Sequence, residues 1–265
     1  MDKRLCIFTS SPNSYADVFG VFYKCFNKFW SDCPYEFVLA TNDQQYEGIT
    51  VVNNNDFSDN WMTRAIPALK SINTKYVLHI ADDCFITEQV DNKEIESILD
   101  DMDAHGLNFC GLANKIKGKP LHKNSLLYRV NKRKPYAKNL QVGIFNREYL
   151  LQVLGDGSLS AWDIEKGWIA EMMQAPNEDF ADVVAAKQGV ITTLHGVAKG
   201  KWFPTVLKKL KKLGVEVESD REQLSAVEEK KINTIKKLGK LFSPSARRGL
   251  KKVLSKLGFG FSTDN

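Results

Sequence analysis

Leu5-Cys6-Ile7-Phe8 is an unbroken apolar run that gives way to the polar stretch Thr9-Ser10-Ser11-Pro12-Asn13-Ser14, after which apolar positions recur on one helical face from Asp17 to Trp30. A buried strand, its loop and a crossover helix read this way. Tyr35 to Ala40 predicts a second strand ending at Thr41-Asn42-Asp43, and Ile49 to Val52 a short third one before Asn53-Asn54-Asn55-Asp56. Trp61 to Ile72 then places Ala65, Ile66, Leu69 and Ile72 at helical spacing, with Pro67 early in the segment, and leads into the strand-like run Tyr76-Val77-Leu78. Strand and helix alternate, which predicts an α/β fold on a mainly parallel central sheet.

The pattern is weaker afterwards. Ile95 to Met102 predicts a helix and Leu107 to Leu112 a strand, whereas Ala113 to Lys138 is Lys-rich, contains Pro120 and Pro135, and reads as loop. Leu140-Gln141-Val142-Gly143-Ile144-Phe145 alternates like a strand, Arg147 to Leu154 follows as a short helix, and Gly155-Asp156-Gly157-Ser158 breaks it ahead of Ser160-Ala161-Trp162-Asp163-Ile164-Glu165. Beyond residue 205 the chain divides at Gly214, Pro244 and Gly258 into amphipathic pieces. In Arg247 to Leu257, Leu250, Val253, Leu254 and Leu257 form one stripe with basic residues opposite. The expected organisation is an α/β body over residues 1–205 and a basic amphipathic helical tail over 206–265.

Charge sharpens that division. Between Val206 and Lys256 there are 15 Lys and Arg against 6 Asp and Glu, while the rest of the chain has 22 against 26, so a mildly acidic body carries a basic tail. Such a helix can lie on an anionic membrane surface or pack its apolar stripe on the body. Nucleic acid is not an expected partner, because the tail lacks interleaved aromatics and any known binding module. Five cysteines, Cys6, Cys25, Cys33, Cys84 and Cys110, show no C-x-x-C spacing and lie in mostly apolar surroundings, which favours packed thiols. With only a short apolar run after Met1-Asp2-Lys3-Arg4 and no stretch near a membrane span's length, the expected location is cytoplasmic, peripheral at the inner face of the plasma membrane.

The candidate chemistry begins at His79-Ile80-Ala81-Asp82-Asp83-Cys84-Phe85-Ile86. Two adjacent carboxylates stand where a buried strand runs out, and strand alternation sends Asp82 and Asp83 to opposite sides. At the carboxyl edge of an open α/β sheet one acid can face a ligand while the other meets a cation or backbone amides. Neither G-x-G-x-x-G nor G-x-x-x-x-G-K-[ST] occurs, which argues against dinucleotide and P-loop chemistry and leaves a nucleoside-diphosphate ligand bridged by a divalent cation.

These stretches, together with Trp30-Ser31-Asp32-Cys33-Pro34-Tyr35, Asn60-Trp61-Met62-Thr63-Arg64, Leu140 to Asn146 and His195-Gly196-Val197-Ala198-Lys199-Gly200-Lys201-Trp202, resemble GT-A-fold glycosyltransferases. The likeness is to bacterial enzymes that build lipopolysaccharide or capsule glycans, and it covers about residues 3 to 205. It implies a hexosyltransferase-like enzyme taking a nucleotide-sugar donor and a glycan or glycolipid acceptor. Asp83 would match the last acid of the family's metal-binding D-x-D, for Mn2+ or Mg2+, although Ala81 stands where the first acid would be. His195 would be a further metal ligand or diphosphate contact. Thr9, Ser10, Ser11, Asn42 and Asp43 would contact the nucleoside, and Asp82 the donor ribose or sugar. Arg64, Lys199 and Lys201 would face the phosphates. An inverting transfer needs a carboxylate base opposite the leaving group, for which Glu165 is the first candidate and Asp163 the second, with Trp162 as a sugar platform. Helix capping is the competing reading for both acids.

Two rivals remain. A sugar-phosphate nucleotidyltransferase shares the layout but should carry a glycine-rich first loop, and Thr9 to Ser14 contains no glycine. A non-catalytic binding protein would keep the acidic pair as structure and use the basic tail for recruitment.

Overall fold

Every residue of the first strand, β1 (Leu5–Ser10), is buried, as the continuous apolar run requires of a strand covered on both faces. In this computed structural model, which describes residues 4–54, 60–112, 119–130, 137–174 and 184–241, β1 lies within an eight-stranded sheet. It pairs in parallel with β2 (Glu36–Thr41) and with β4 (Tyr76–Ile80), placing Ile7 beside Phe37 and Leu78. The parallel strand β3 (Thr50–Asn53) borders β2. On the far side of β4 the order continues β8 (Val142–Asn146), β6 (Phe109–Gly111), β9 (Val184–Ala186) and β7 (Leu127–Arg129). β3, β2, β1, β4, β6 and β9 run one way and β8 and β7 the other, so the sheet is mixed but mainly parallel.

Helices cover the sheet as the side-chain alternation demands. α1 (Ala16–Phe29) turns Phe19, Phe22 and Phe26 onto Phe37, whose ring is 5.0 Å from that of Phe26. Cys6, Phe8, Val38, Ala40 and Val77 belong instead to a core shared with α2 (Trp61–Ser71), α4 (Arg147–Leu154) and α5 (Ala161–Gln174). Asn60 caps α2 by accepting from Met62 N at 3.0 Å. Pro67 has no N–H for the carbonyl of Thr63 four residues earlier, and the Asn54 side-chain amide donates to that oxygen. The proline thus leaves an acceptor that ties α2 to the end of β3. α3 (Asn92–Ala104) begins earlier than its apolar spacing predicts because Asp91 caps it, accepting from Lys93 N at 2.8 Å.

β7 corrects the expectation of loop throughout Ala113 to Lys138. Three residues pair antiparallel with β9, a pairing too short to leave a periodic signature. A short strand, β5 (Cys84–Ile86), follows the acidic pair and pairs antiparallel with β10 (Thr193–His195) in a separate two-stranded sheet. Met1–His195 with Leu213–Ser219 form one compact unit, and Gly196–Lys212 with Asp220–Asn265 a second. In the second, β11 (Val197–Ala198) and β12 (Lys201–Trp202) make a hairpin, followed by α6 (Pro204–Lys212) and α7 (Ala226–Leu241). The predicted amphipathic piece at 247–257 lies outside the described residues. All five cysteines are free thiols, and no helix among the described residues is long and apolar enough to cross a membrane.

Candidate functional site

The carboxyl edge of the parallel strands gathers buried polar side chains. Thr9 at the end of β1 donates its hydroxyl to the carbonyl of Ile80 at 3.0 Å, bracing the last residue of β4 before the acidic pair. Ser10, Ser11 and Thr41 follow at the ends of β1 and β2, all buried; the hydroxyls of Ser10 and Thr41 find no hydrogen-bond partner among the described residues, and that of Ser11 has only the Asp82 carboxyl to act on. Unpaired buried hydroxyls are uncommon and are explained where a ligand supplies the partner. Asn42 Oδ1 accepts from Asn13 N at 2.9 Å, and Asp43 Oδ1 from Asn13 Nδ2 at 2.6 Å, which closes the loops after β1 and β2 on one another.

Asp82 and Asp83 lie in the turn between β4 and β5, half-buried. Crowding by protein atoms, then the neighbouring Asp83 charge, push the Asp82 carboxyl up to about 7, while Ser11 and the Arg64 guanidinium pull it back. Arg64 does not face water as an arginine on an amphipathic helix usually does. It is only 2% exposed in the first turn of α2, and its charge acts on Asp82. Asp83 meets a different partner. The antiparallel register of β5 and β10 sets His195 opposite Cys84, and His195 Nε2 lies 3.3 Å from Asp83 Oδ2.

Glu165 reaches the same edge through the main chain. Its Oε1 accepts from Leu140 N at 2.8 Å, and the next residue, Gln141, accepts at its carbonyl from Ala81 N at 2.8 Å. The carboxylate is therefore two backbone hydrogen bonds from the residue preceding Asp82. Burial raises the Glu165 pKa and the Leu140 N–H opposes the shift. Oε2 carries no hydrogen bond among the described residues. Asp163, by contrast, closes a capping box: its Oδ2 accepts from Ser160 Oγ at 2.6 Å and its N donates back to Ser160 Oγ at 3.2 Å. These bonds hold the Asp163 carboxyl below the usual range. Trp162 and Leu159 beside it are about half exposed, at 48% and 51%.

Lys199 and Lys201 belong to the second unit. Lys199 and Gly200 take φ of 52° and 72°, the left-handed pair that a two-residue hairpin loop requires. Lys201 Nζ pairs with Glu222 at 2.8 Å, and Arg221 donates to the Gly200 carbonyl.

One member of the first unit's site has no sequence signal. His79, at 2% exposure, has its ring 5.6 Å from that of Phe8 and 5.5 Å from that of Trp61, with Nδ1 3.3 Å from the Phe8 carbonyl oxygen. Burial lowers its pKa to about 4, so it is a neutral wall. The backbone of Leu140 and Gln141 was equally invisible, since it acts through main-chain atoms that any residue possesses.

No protein-family model and no curated protein matches this sequence. Among solved structures, S. aureus TarS is similar at 12% identity over 86% of this chain and 42% of that one, with a TM-score of 0.46. CMP:2-keto-3-deoxy-manno-octonic acid synthetase complexed with CTP is similar at 15% identity over 80% and 98%, TM-score 0.47. The galactosyltransferase LgtC with donor and acceptor sugar analogs follows at 12% identity over 81% and 80%, TM-score 0.35. The chain spans 60% of the TarS 1–349 fragment. These likenesses are too distant to bear on chemistry, which rests on the side chains described above.

Proposed function

We propose that this protein is a glycosyltransferase that moves a sugar from a nucleotide-sugar donor to an acceptor hydroxyl of a surface glycan, with inversion. The observation that carries the reading is Glu165. One oxygen is fixed by the Leu140 N–H while Oε2 has no hydrogen bond among the described residues, and the backbone anchor leads directly to the acidic pair. A carboxylate in that state, with its pKa raised by burial, is suited to take the acceptor proton as the acceptor oxygen bonds to the sugar's anomeric carbon and the bond to the diphosphate breaks. Ser10, Ser11 and Thr41 would satisfy their hydroxyls on the donor nucleoside, and Asp82 would accept from donor hydroxyls when ionised. Trp162 offers an exposed indole face on which an acceptor sugar can stack.

Asp83 and His195 would hold a divalent cation. Their carboxylate oxygen and imidazole nitrogen make a mixed donor set that suits Mn2+ better than Mg2+, whose ligands are oxygens. When bound, the ion would supply positive charge for the departing diphosphate.

A thermal-shift screen of UDP, GDP, CDP and CMP sugars, with and without Mn2+ or Mg2+, finds the donor, because a ligand that binds only the folded state raises Tm. Transfer is then followed with that donor. Glu165→Gln is expected to lower turnover by at least about a hundredfold, the lower end for loss of a general base, with the donor-induced Tm shift retained. Full turnover in that variant would overturn the assignment. Release of pyrophosphate from a nucleoside triphosphate would indicate a nucleotidyltransferase instead.

A further inference from the structure

Outside the acidic-pair site, Asp101, His105 and His122 bring one ligand atom each to within 4.8 Å of one another. We propose that they form a second cation site, for Zn2+ or a similar transition ion, which clamps the segment around His122 to the carboxyl end of α3. Asp101 and His105 are four residues apart, one on the last turn of α3 and the other its C-cap, so they share a helix face. His122 arrives from the segment preceding β7, and its Nε2 lies 2.7 Å from Asp101 Oδ1.

Three features make this more than a surface ion pair. The Asp101 side chain is only 13% exposed, and its second oxygen accepts from the Ser125 hydroxyl at 2.5 Å. Ser125 is itself buried and accepts from Leu127 N at 2.9 Å at the start of β7. The carboxylate is therefore oriented by an outer hydrogen-bonded partner, the arrangement that fixes metal-ligating acids. The rings of His105 and His122 lie 6.1 Å apart at 32°, close enough for both to turn a nitrogen to one ion. The site also ends α3, where the carbonyls of the last turn favour positive charge.

The donor set selects the ion. Two imidazoles and one carboxylate suit Zn2+, whose bonds of about 2.0–2.2 Å put tetrahedral ligand atoms roughly 3.3 Å apart, and they suit Mg2+ and Ca2+ poorly. The His122–Asp101 contact would open by a few tenths of an ångström as the ion takes the place of the shared proton. A water would complete the coordination, since both histidines are solvent-exposed.

The test uses the full chain carrying His195→Ala, which removes the imidazole at the other candidate cation site and isolates this one. Bound zinc after dialysis against a Zn2+ buffer, and the Tm shift produced by Zn2+, are measured for this protein and for versions with His105→Gln or His122→Gln added. One equivalent of zinc and a Tm rise that Mg2+ does not reproduce are expected in the parent, with both lost in each added variant. Circular dichroism checks that the variants are folded, and both histidines are exposed enough to be replaced without disturbing a core. Absence of zinc from the parent, or zinc retained in folded His105→Gln and His122→Gln proteins, would overturn the proposal. Because no donor or turnover is measured, the outcome is separate from the fate of the glycosyltransferase reading.

Discussion

His79 sets a pH dependence that belongs to one residue. An imidazole free in the unfolded chain titrates near 6.5, whereas in the folded protein burial holds it near 4. Between those values the unfolded state binds the extra proton, so stability is complete above about pH 6.5 and falls as pH is lowered toward 4, by about 3 kcal/mol in all. Urea midpoints measured from pH 7 to pH 4.5 should decline more steeply for the natural protein than for His79→Gln, and parallel slopes would refute the assignment. The neutral ring also leaves Arg64 as the buried positive charge acting on Asp82. Two equally buried side chains, each 2% exposed, thus become a neutral wall and an electrostatic partner because an imidazole gives up its proton on burial and a guanidinium keeps its own.

At the scale of elements the tightest constraint is where β8 crosses between β4 and β6. Gly143 stands opposite His79 on one side and Gly111 on the other. A Cβ at that position would sit 2.8 Å from the Phe109 ring and 3.0 Å from the Cys110 carbonyl oxygen. The ring belongs to the packed core and the carbonyl to the backbone, so neither yields easily. Gly143→Ala is expected to destabilise the protein by about 1–3 kcal/mol, read as a lower urea midpoint with an unchanged slope.

That glycine also shows what the sequence reveals and what it hides. β1, β2 and β4 are legible because strands buried on both faces are uninterrupted apolar runs, and α1 and α2 because one face repeats at helical spacing. The direction of β8 is not legible, since Val142 to Asn146 would alternate identically in either orientation. β7 was missed because Leu127-Tyr128-Arg129 is too short to show a period. At the site, the acidic pair announced itself as two charges after an apolar run. Arg64 was expected to face the donor phosphates, but nothing local records that α2 buries it and sets its charge against Asp82. Asp83 and His195 are 112 positions apart in the chain, and the register of β5 with β10 brings them together.

For the molecule as a whole, the basic charge after residue 205 and the acidic remainder suggest an electrostatic role for the C-terminal part on anionic membranes. The structure dictates where to cut. Val206, Leu210, Val215 and Leu224 are buried, so deletion from residue 206 would remove core side chains along with charge. Truncation after Leu241 spares them and still removes Arg247, Arg248, Lys251, Lys252 and Lys256. Co-sedimentation with phosphatidylserine-containing vesicles at low salt is expected to fall on that truncation and to vanish at high salt for both proteins. Equal binding by the two would dismiss the membrane role. The backbone link from Glu165 to Ala81 also bears on how such a protein can change over time. Because the anchor uses the N–H of Leu140 and the C=O of Gln141, the exposed side chain of Gln141 can drift without moving the carboxylate, and position 140 need only stay apolar to fill the core. Lineages that keep this geometry need share few letters, and proline at position 81 or 140 is the substitution they should avoid.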